Sequence, residues 1–145
     1  MASLVDELKK VPLFSGLSQR QLKKLGRGFK ERQFKAGTSV VRQGQMSGVG
    51  FFVITEGEAY VSVDGSEVAR LGPGDHFGEL ALISERVRSA TVTAAGPLNC
   101  LVMAFWDFRE FAKENPDVTW KLLQHLVELL TQERNKRAQA GLQTS

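Results

Sequence analysis

The chain has 145 residues, of which 42% are hydrophobic and 24% charged, and a formal net charge of +3. That length fits one domain with a substantial core, and so small a charge excess does not indicate a nucleic-acid binder. Cys100 is the single cysteine, which excludes an intrachain disulfide, and no stretch nears the roughly 18 apolar residues of a membrane span.

Residues 1–35 carry nine Lys or Arg against three acids. The pattern reads as a solvated helix face, with an acidic partner or membrane surface as the alternative. Residues 1–10 lack the basic start and apolar core of a secretory signal, so a soluble, cytoplasmic protein is expected. Leu4, Val5 and Leu8 share one helical face. Ser18-Gln19-Arg20-Gln21 is a capping-box pattern ahead of Leu22, Leu25 and Phe29, so two short helices joined by residues 12–16 are expected within 1–30.

From residue 31 to 105 the period changes to two. Candidate strands are 31–35, 39–42, 51–55, 59–63, 67–71, 91–94 and 98–104. Glu56-Gly57 and Asp64-Gly65 lie where hairpins need positive φ. Many short strands with frequent turns predict an α+β domain built on an antiparallel β-roll or jelly roll. Cys100 falls in an apolar strand, which points to an inert core thiol. Residues 106–113 read as a short helix. At Asn115-Pro116 an Asn cap with Pro at the first position starts a longer helix to about residue 137. Its apolar residues, among them Val118, Trp120, Leu122, Leu123, Leu126, Val127 and Leu130, cover more than one narrow stripe and so can serve two surfaces. Helices are thus expected over 106–138, and 139–145 as a frayed tail; the whole, 1–145, reads as one domain.

The stretch Phe77-Gly78-Glu79-Leu80-Ala81-Leu82-Ile83, followed by Arg88-Ser89-Ala90-Thr91, plants a helix-like turn inside a strand-rich region. A turn starting at Glu79 would leave backbone N–H groups available to an anion, and Gly78 lets backbone approach closely. Arg88, nine residues on, can return over the same place with a guanidinium fork for phosphate. A carboxylate repels a bare phosphate but accepts from hydroxyls, so Glu79 points to a ligand with sugar hydroxyls beside its phosphate.

This stretch, 77–91, resembles the phosphate-binding cassette of the cyclic nucleotide-binding domain family. That family includes kinase regulatory subunits, nucleotide-gated channels and catabolite activator protein. The resemblance extends to Val11-Pro12-Leu13-Phe14 with Leu17-Ser18, to Gly37 and Gln43-Gly44, to Phe51-Phe52-Val53-Ile54 with Gly57, and to Leu71-Gly72-Pro73-Gly74-Asp75. It implies that Glu79 accepts the ribose 2′-hydroxyl and that Arg88 pairs with the cyclic phosphate. The backbone N–H groups of Leu80 and Ala81 would bind phosphate oxygens, Gly78 would make room for the sugar, and Ser89 and Ala90 would complete the site. Ser89 could reach the phosphate or a syn guanine, and cyclic AMP is favoured over cyclic GMP. The resemblance also implies a C-terminal lid helix, here around residues 126–134. Between Gly44 and Phe51 the chain lacks an acidic residue that many members carry.

Rival chemistries find little support. Gly72-Pro73-Gly74 with Gly78 misses the dinucleotide spacing by one residue. His76 and His125 have no Cys or His neighbours with metal-ligand spacing, and no nucleophile elbow occurs. The expectation is a non-catalytic, ligand-gated regulatory domain, without cofactor, that acts on a protein effector in trans through its C-terminal helix. The alternative is a β-roll interaction module that binds a partner through that helix, which could also support a homodimer. With the chain ending at Ser145, no helix-turn-helix is expected after it, and hence no direct sequence-specific DNA binding.

Overall fold

The computed structural model of the chain describes residues 3–45, 50–83 and 87–144. Residues 46–49, part of the stretch between Gly44 and Phe51 where the resemblance leads one to expect an acidic residue, and 84–86 lie outside the described residues.

Two capped helices open the chain. In α1 (Leu4–Lys9) the Ser3 hydroxyl accepts from the Asp6 N–H at 3.2 Å while the Ser3 N–H donates to Asp6 Oδ2 at 3.3 Å. In α2 (Gln19–Gly26) Ser18 and Gln21 make the same reciprocal pair, as the capping pattern predicts. A 3₁₀ turn, Pro12–Phe14, joins them.

Among the described residues eight strands follow: β1 (Lys30–Phe34), β2 (Ser39–Val41), β3 (Gly50–Glu56), β4 (Ala59–Val63), β5 (Ser66–Leu71), β6 (His76–Phe77), β7 (Thr91–Ala94) and β8 (Leu98–Ala104). They form two four-stranded antiparallel sheets, β1-β8-β3-β6 and β2-β7-β4-β5, which is the expected antiparallel roll. The β4–β5 turn puts both Asp64 (φ 52°) and Gly65 (φ 82°) at positive φ, the geometry a two-residue hairpin requires. Sequence periodicity misses β6, because two residues are too short to show a period.

Strand β3 divides the core. Its Phe51 and Val53 face a helical layer containing Leu8, Phe14, Leu22, Phe108 and Val118, while Phe52 and Ile54 face the inter-sheet layer with Val92, Leu98, Cys100 and Val102. Alternate residues pointing to opposite faces are the direct consequence of the strand's two-residue period. Burial pushes the Cys100 thiol up to about 11, which suits a core residue rather than a nucleophile.

After β8 come α3 (Phe105–Glu114) and α4 (Pro116–Thr144). The buried Asn115 side chain donates back to the Phe111 carbonyl at 2.9 Å, so its amide serves the end of α3. Helix α4 continues through the tail expected to fray, where Ala138, Ala140 and Gln143 favour helix and Gly141 opposes it. Its two stripes separate cleanly. Val118 and Leu122 are buried, whereas Trp120, Leu123, Val127 and Leu130 are 51–63% exposed. His125 fastens the helix to the N-terminal layer, with Nε2 2.6 Å from the Pro12 carbonyl and 3.0 Å from Ser15 Oγ.

Phe14 packs on both Phe51 (5.8 Å between ring centroids) and Phe108 (6.4 Å), joining the N-terminal helices, the roll and α3. Phe14→Ala should therefore cost about 3–5 kcal/mol in urea unfolding. A loss below about 1 kcal/mol would mean that this layer does not hold the domain together.

Candidate functional site

The roll and the cassette enclose a cavity of about 300 Å³, lined by Val41, Val61, Phe77, Gly78, Glu79, Ala81, Val87, Arg88, Ser89, Ala90 and Val92. This is at the lower end of the roughly 300–1,000 Å³ of small-molecule sites. Six of the residues predicted from the sequence, Gly78, Glu79, Ala81, Arg88, Ser89 and Ala90, therefore share one cavity wall. Val41, Val61, Val92 and Phe77 form an apolar side that the sequence reading did not single out. The Phe77 ring stacks on Phe52 at 4.8 Å with an 8° interplanar angle, so the inter-sheet core holds this wall in place.

The turn that begins the cassette is a 3₁₀ turn, Glu79–Leu82. The Ala81 N–H, expected from the resemblance to bind a phosphate oxygen, instead donates to the Gly78 carbonyl at 3.0 Å, because it closes the 3₁₀ turn. Leu80 lies within the turn, next to Glu79.

Arg88 is positioned through its backbone as well as its side chain. Its N–H donates to the Gln45 carbonyl at 2.8 Å, and its carbonyl accepts from the Gly44 N–H at 2.9 Å. The same loop is tied down by Gln43, whose N–H donates to Thr91 Oγ1 at 2.9 Å. The Gln43 side-chain amide also pairs with Asp64 through bonds of 3.0 and 2.8 Å. The guanidinium reaches back to donate from Nη2 to the Gly50 carbonyl at 3.1 Å. Burial pulls the Arg88 pKa down from the ordinary guanidinium value, but an arginine remains a cation at neutral pH. The pairs Gly50–Arg88 and Gln43–Thr91 are 38 and 48 residues apart in sequence, so no local pattern announces them.

Gly78 is required by this crowding. It has φ 86°, and a Cβ there would stand 2.5 Å from the Gly50 carbonyl oxygen and 2.6 Å from Arg88 Nη1. Any side chain would wedge the guanidinium from its place.

Glu79 lies at the opposite end of the chemistry. The His76 imidazole at its flank, with Nδ1 3.6 Å from Oε2, holds its carboxyl below the ordinary carboxylate value, while burial works in the other direction. Glu79 is thus an anion at neutral pH and acts as an acceptor only. One cavity therefore offers a fixed cation, a carboxylate acceptor and an apolar face. Among the described residues none of α3 or α4 lines it, so the stretch 126–134 expected as a lid stands elsewhere in this structure.

Comparison with known proteins shows the family. A family model described as "Cyclic nucleotide-binding domain" matches residues 31–115. The chain is 43% identical over 93 residues to a cAMP-dependent protein kinase regulatory subunit of Mycosarcoma maydis, a match covering 61% of this chain and 18% of that one. The chain thus spans about a fifth of the length of the curated relatives it matches. Among solved structures, the N-terminal domain of a transcriptional regulator from Streptomyces coelicolor A3(2) superposes with a TM-score of 0.79 at 26% identity, covering 91% of this chain and 95% of that one. The regulatory domain of Toxoplasma gondii PKA, crystallised with cAMP, gives 0.65 at 27% identity, covering 92% and 49%.

Two outcomes follow from the geometry alone. Gly78→Ala should lower stability by about 1–3 kcal/mol, because it adds both strain at positive φ and a clash, whereas an unchanged melting temperature would show that the close approach is not rigid. Because its folded pKa is depressed, ionised Glu79 contributes stability above the ordinary value of 4.5, and that contribution fades as the pH falls below it. Thermal melts between roughly pH 6 and pH 3 should accordingly be less pH-dependent in Glu79→Gln than in the parent.

Proposed function

Because the chain belongs to the cyclic nucleotide-binding domain family, we propose that it is a non-catalytic regulatory module that takes cyclic AMP, in preference to cyclic GMP, into the cavity beneath its cassette. The observation that carries this reading is the placement of Arg88 and Glu79 in one cavity. The guanidinium donates to the cyclic phosphate, the Glu79 carboxylate accepts from the ribose 2′-hydroxyl, and Gly78 leaves space for the sugar. Val41, Val61, Val92 and Phe77 supply an apolar face. Leu80 borders the phosphate through its backbone, and Ser89 and Ala90 close the far side. The preference for cyclic AMP is supported by relatives whose names and structures carry cAMP.

The switch is assigned to α4. Between the cassette turn, α3 and α4 lies a second cavity of about 340 Å³, lined mainly by Leu82, Ile83, Phe105, Phe108, Leu122 and Leu126. Leu82 of the cassette turn also belongs to the same buried cluster as Phe108, Val118 and Leu122, which supports the reading that a ligand that moves the cassette changes what α4 packs against. The effector is a protein acted on in trans, in the cytoplasm. Among the described residues no helix is long and apolar enough to cross a membrane.

A second reading rests on Trp120, Leu123, Val127 and Leu130. These exposed residues are spaced 3-4-3 along α4, the interval of a coiled-coil seam, and suit a helical partner or a second copy of this chain. In this alternative the module binds through α4 without nucleotide control.

Arg88→Ala should weaken cyclic AMP binding by about 30- to 1,000-fold in calorimetric titration, since it removes a charge-assisted pair with a buried phosphate. An unchanged affinity would overturn the phosphate assignment. Hydrogen exchange along 116–134 should change when cyclic AMP saturates the protein, whereas identical protection would favour the nucleotide-independent reading.

A further inference from the structure

His76 is placed more tightly than a loop-end histidine needs to be. It lies on β6, paired with Val53, and its ring meets Phe51 edge-on at 5.7 Å with a 66° interplanar angle. Those two contacts fix the ring from the backbone side and from the helical core. Its Nδ1 is cut off from solvent and has no hydrogen-bond partner among the described residues. Glu79 Oε2, 3.6 Å away and three residues along the chain, is the acceptor nearest to making one.

A bare imidazole lone pair facing a carboxylate at that separation would be repelled, so the stable arrangement carries the hydrogen on Nδ1. A shift of a few tenths of an ångström then closes a charge-assisted bond and leaves Oε1 as the oxygen with an open coordination. Glu79 has three side-chain torsions on a short 3₁₀ turn, and besides His76 its own backbone N–H bears on the carboxyl. From this juxtaposition we propose that His76 is a positioning residue: it holds Oε2 of Glu79 so that Oε1 is presented to the sugar 2′-hydroxyl, and so sets the preference for ribo over 2′-deoxyribo cyclic nucleotides. The proposal rests on the nucleotide reading above and names the residue that makes its sugar contact selective.

The test is calorimetric titration of cyclic AMP and 2′-deoxy cyclic AMP into the parent, His76→Phe and His76→Asn. Phe keeps a ring against Phe51 but has no donor, while Asn restores an N–H near the place of Nδ1. His76→Phe should lose about three- to tenfold of the parent's ribo preference, and His76→Asn should recover most of it. A purely structural role would weaken both nucleotides alike and leave their ratio unchanged, which would overturn the proposal. In the unsubstituted protein, long-range imidazole NMR should show the His76 ring hydrogen on Nδ1; a ring hydrogen carried on Nε2 alone would overturn it independently of whether the variants fold. A parent that binds neither nucleotide overturns the nucleotide reading and this proposal with it. A parent that binds both, with the same ratio in every variant, overturns the His76 role alone.

Discussion

A half-buried guanidinium needs acceptors, and the way Arg88 is supplied with one organises the site. Its Nη2 donates to the Gly50 carbonyl, and that approach exists because Gly78 has no side chain to keep the two apart. Gly50 begins β3, Gly78 follows β6, and Arg88 precedes β7, so three strands converge on one contact. Paired this way, the cation is held ready for an anion without bearing the full cost of an unpartnered buried charge. A phosphate entering the cavity offers stronger acceptors than a single carbonyl, which is why the arrangement favours a ligand and not merely a closed core.

The roll exists to hold that contact still. Strand β3 buries both faces, and β8 pairs with it along nearly its whole length, so the Gly50 end of the strand is anchored in the two cores at once. On the other side, Gln43 clamps the Asp64–Gly65 hairpin and binds Thr91, while its neighbours Gly44 and Gln45 grip the Arg88 backbone. Rigidity is therefore concentrated at the phosphate end. The Glu79 end rests on a short turn and on His76, and the cassette passes from there into the apolar cavity shared with α3 and α4.

What the sequence disclosed divides along physical lines. Strands of four or more residues showed their alternation, and Asp64-Gly65 and Ser18 to Gln21 showed their turn and cap chemistry, because those signals are local. Gly78, Glu79 and Arg88 were legible as a set from their spacing, and they do line one cavity. Long-range pairing was not legible: nothing near Arg88 points to Gly50, and nothing near Gln43 points to Thr91. Nor could composition tell a 3₁₀ turn from an α-helical one at Glu79, since four residues fit both. His76 was visible in the sequence but was weighed only as a metal ligand; its i, i+3 relation to Glu79 was the missed signal. In α4 the apolar residues were counted correctly, and the packing decided which stripe is buried and which faces outward.

The exposed stripe of α4 and the cavity beneath the cassette are separate surfaces joined by the apolar groove at Leu82, Phe108 and Leu122. Coupling between them is a consequence of that packing only if the ligand's charge is taken up at Arg88, where the cassette is tied to the roll. The most direct measurement is a crystal structure of the protein saturated with cyclic AMP. The account predicts phosphate oxygens about 2.7–2.9 Å from the Arg88 nitrogens and the sugar hydroxyl on Glu79. A bound nucleotide whose phosphate lies away from Arg88 would contradict it.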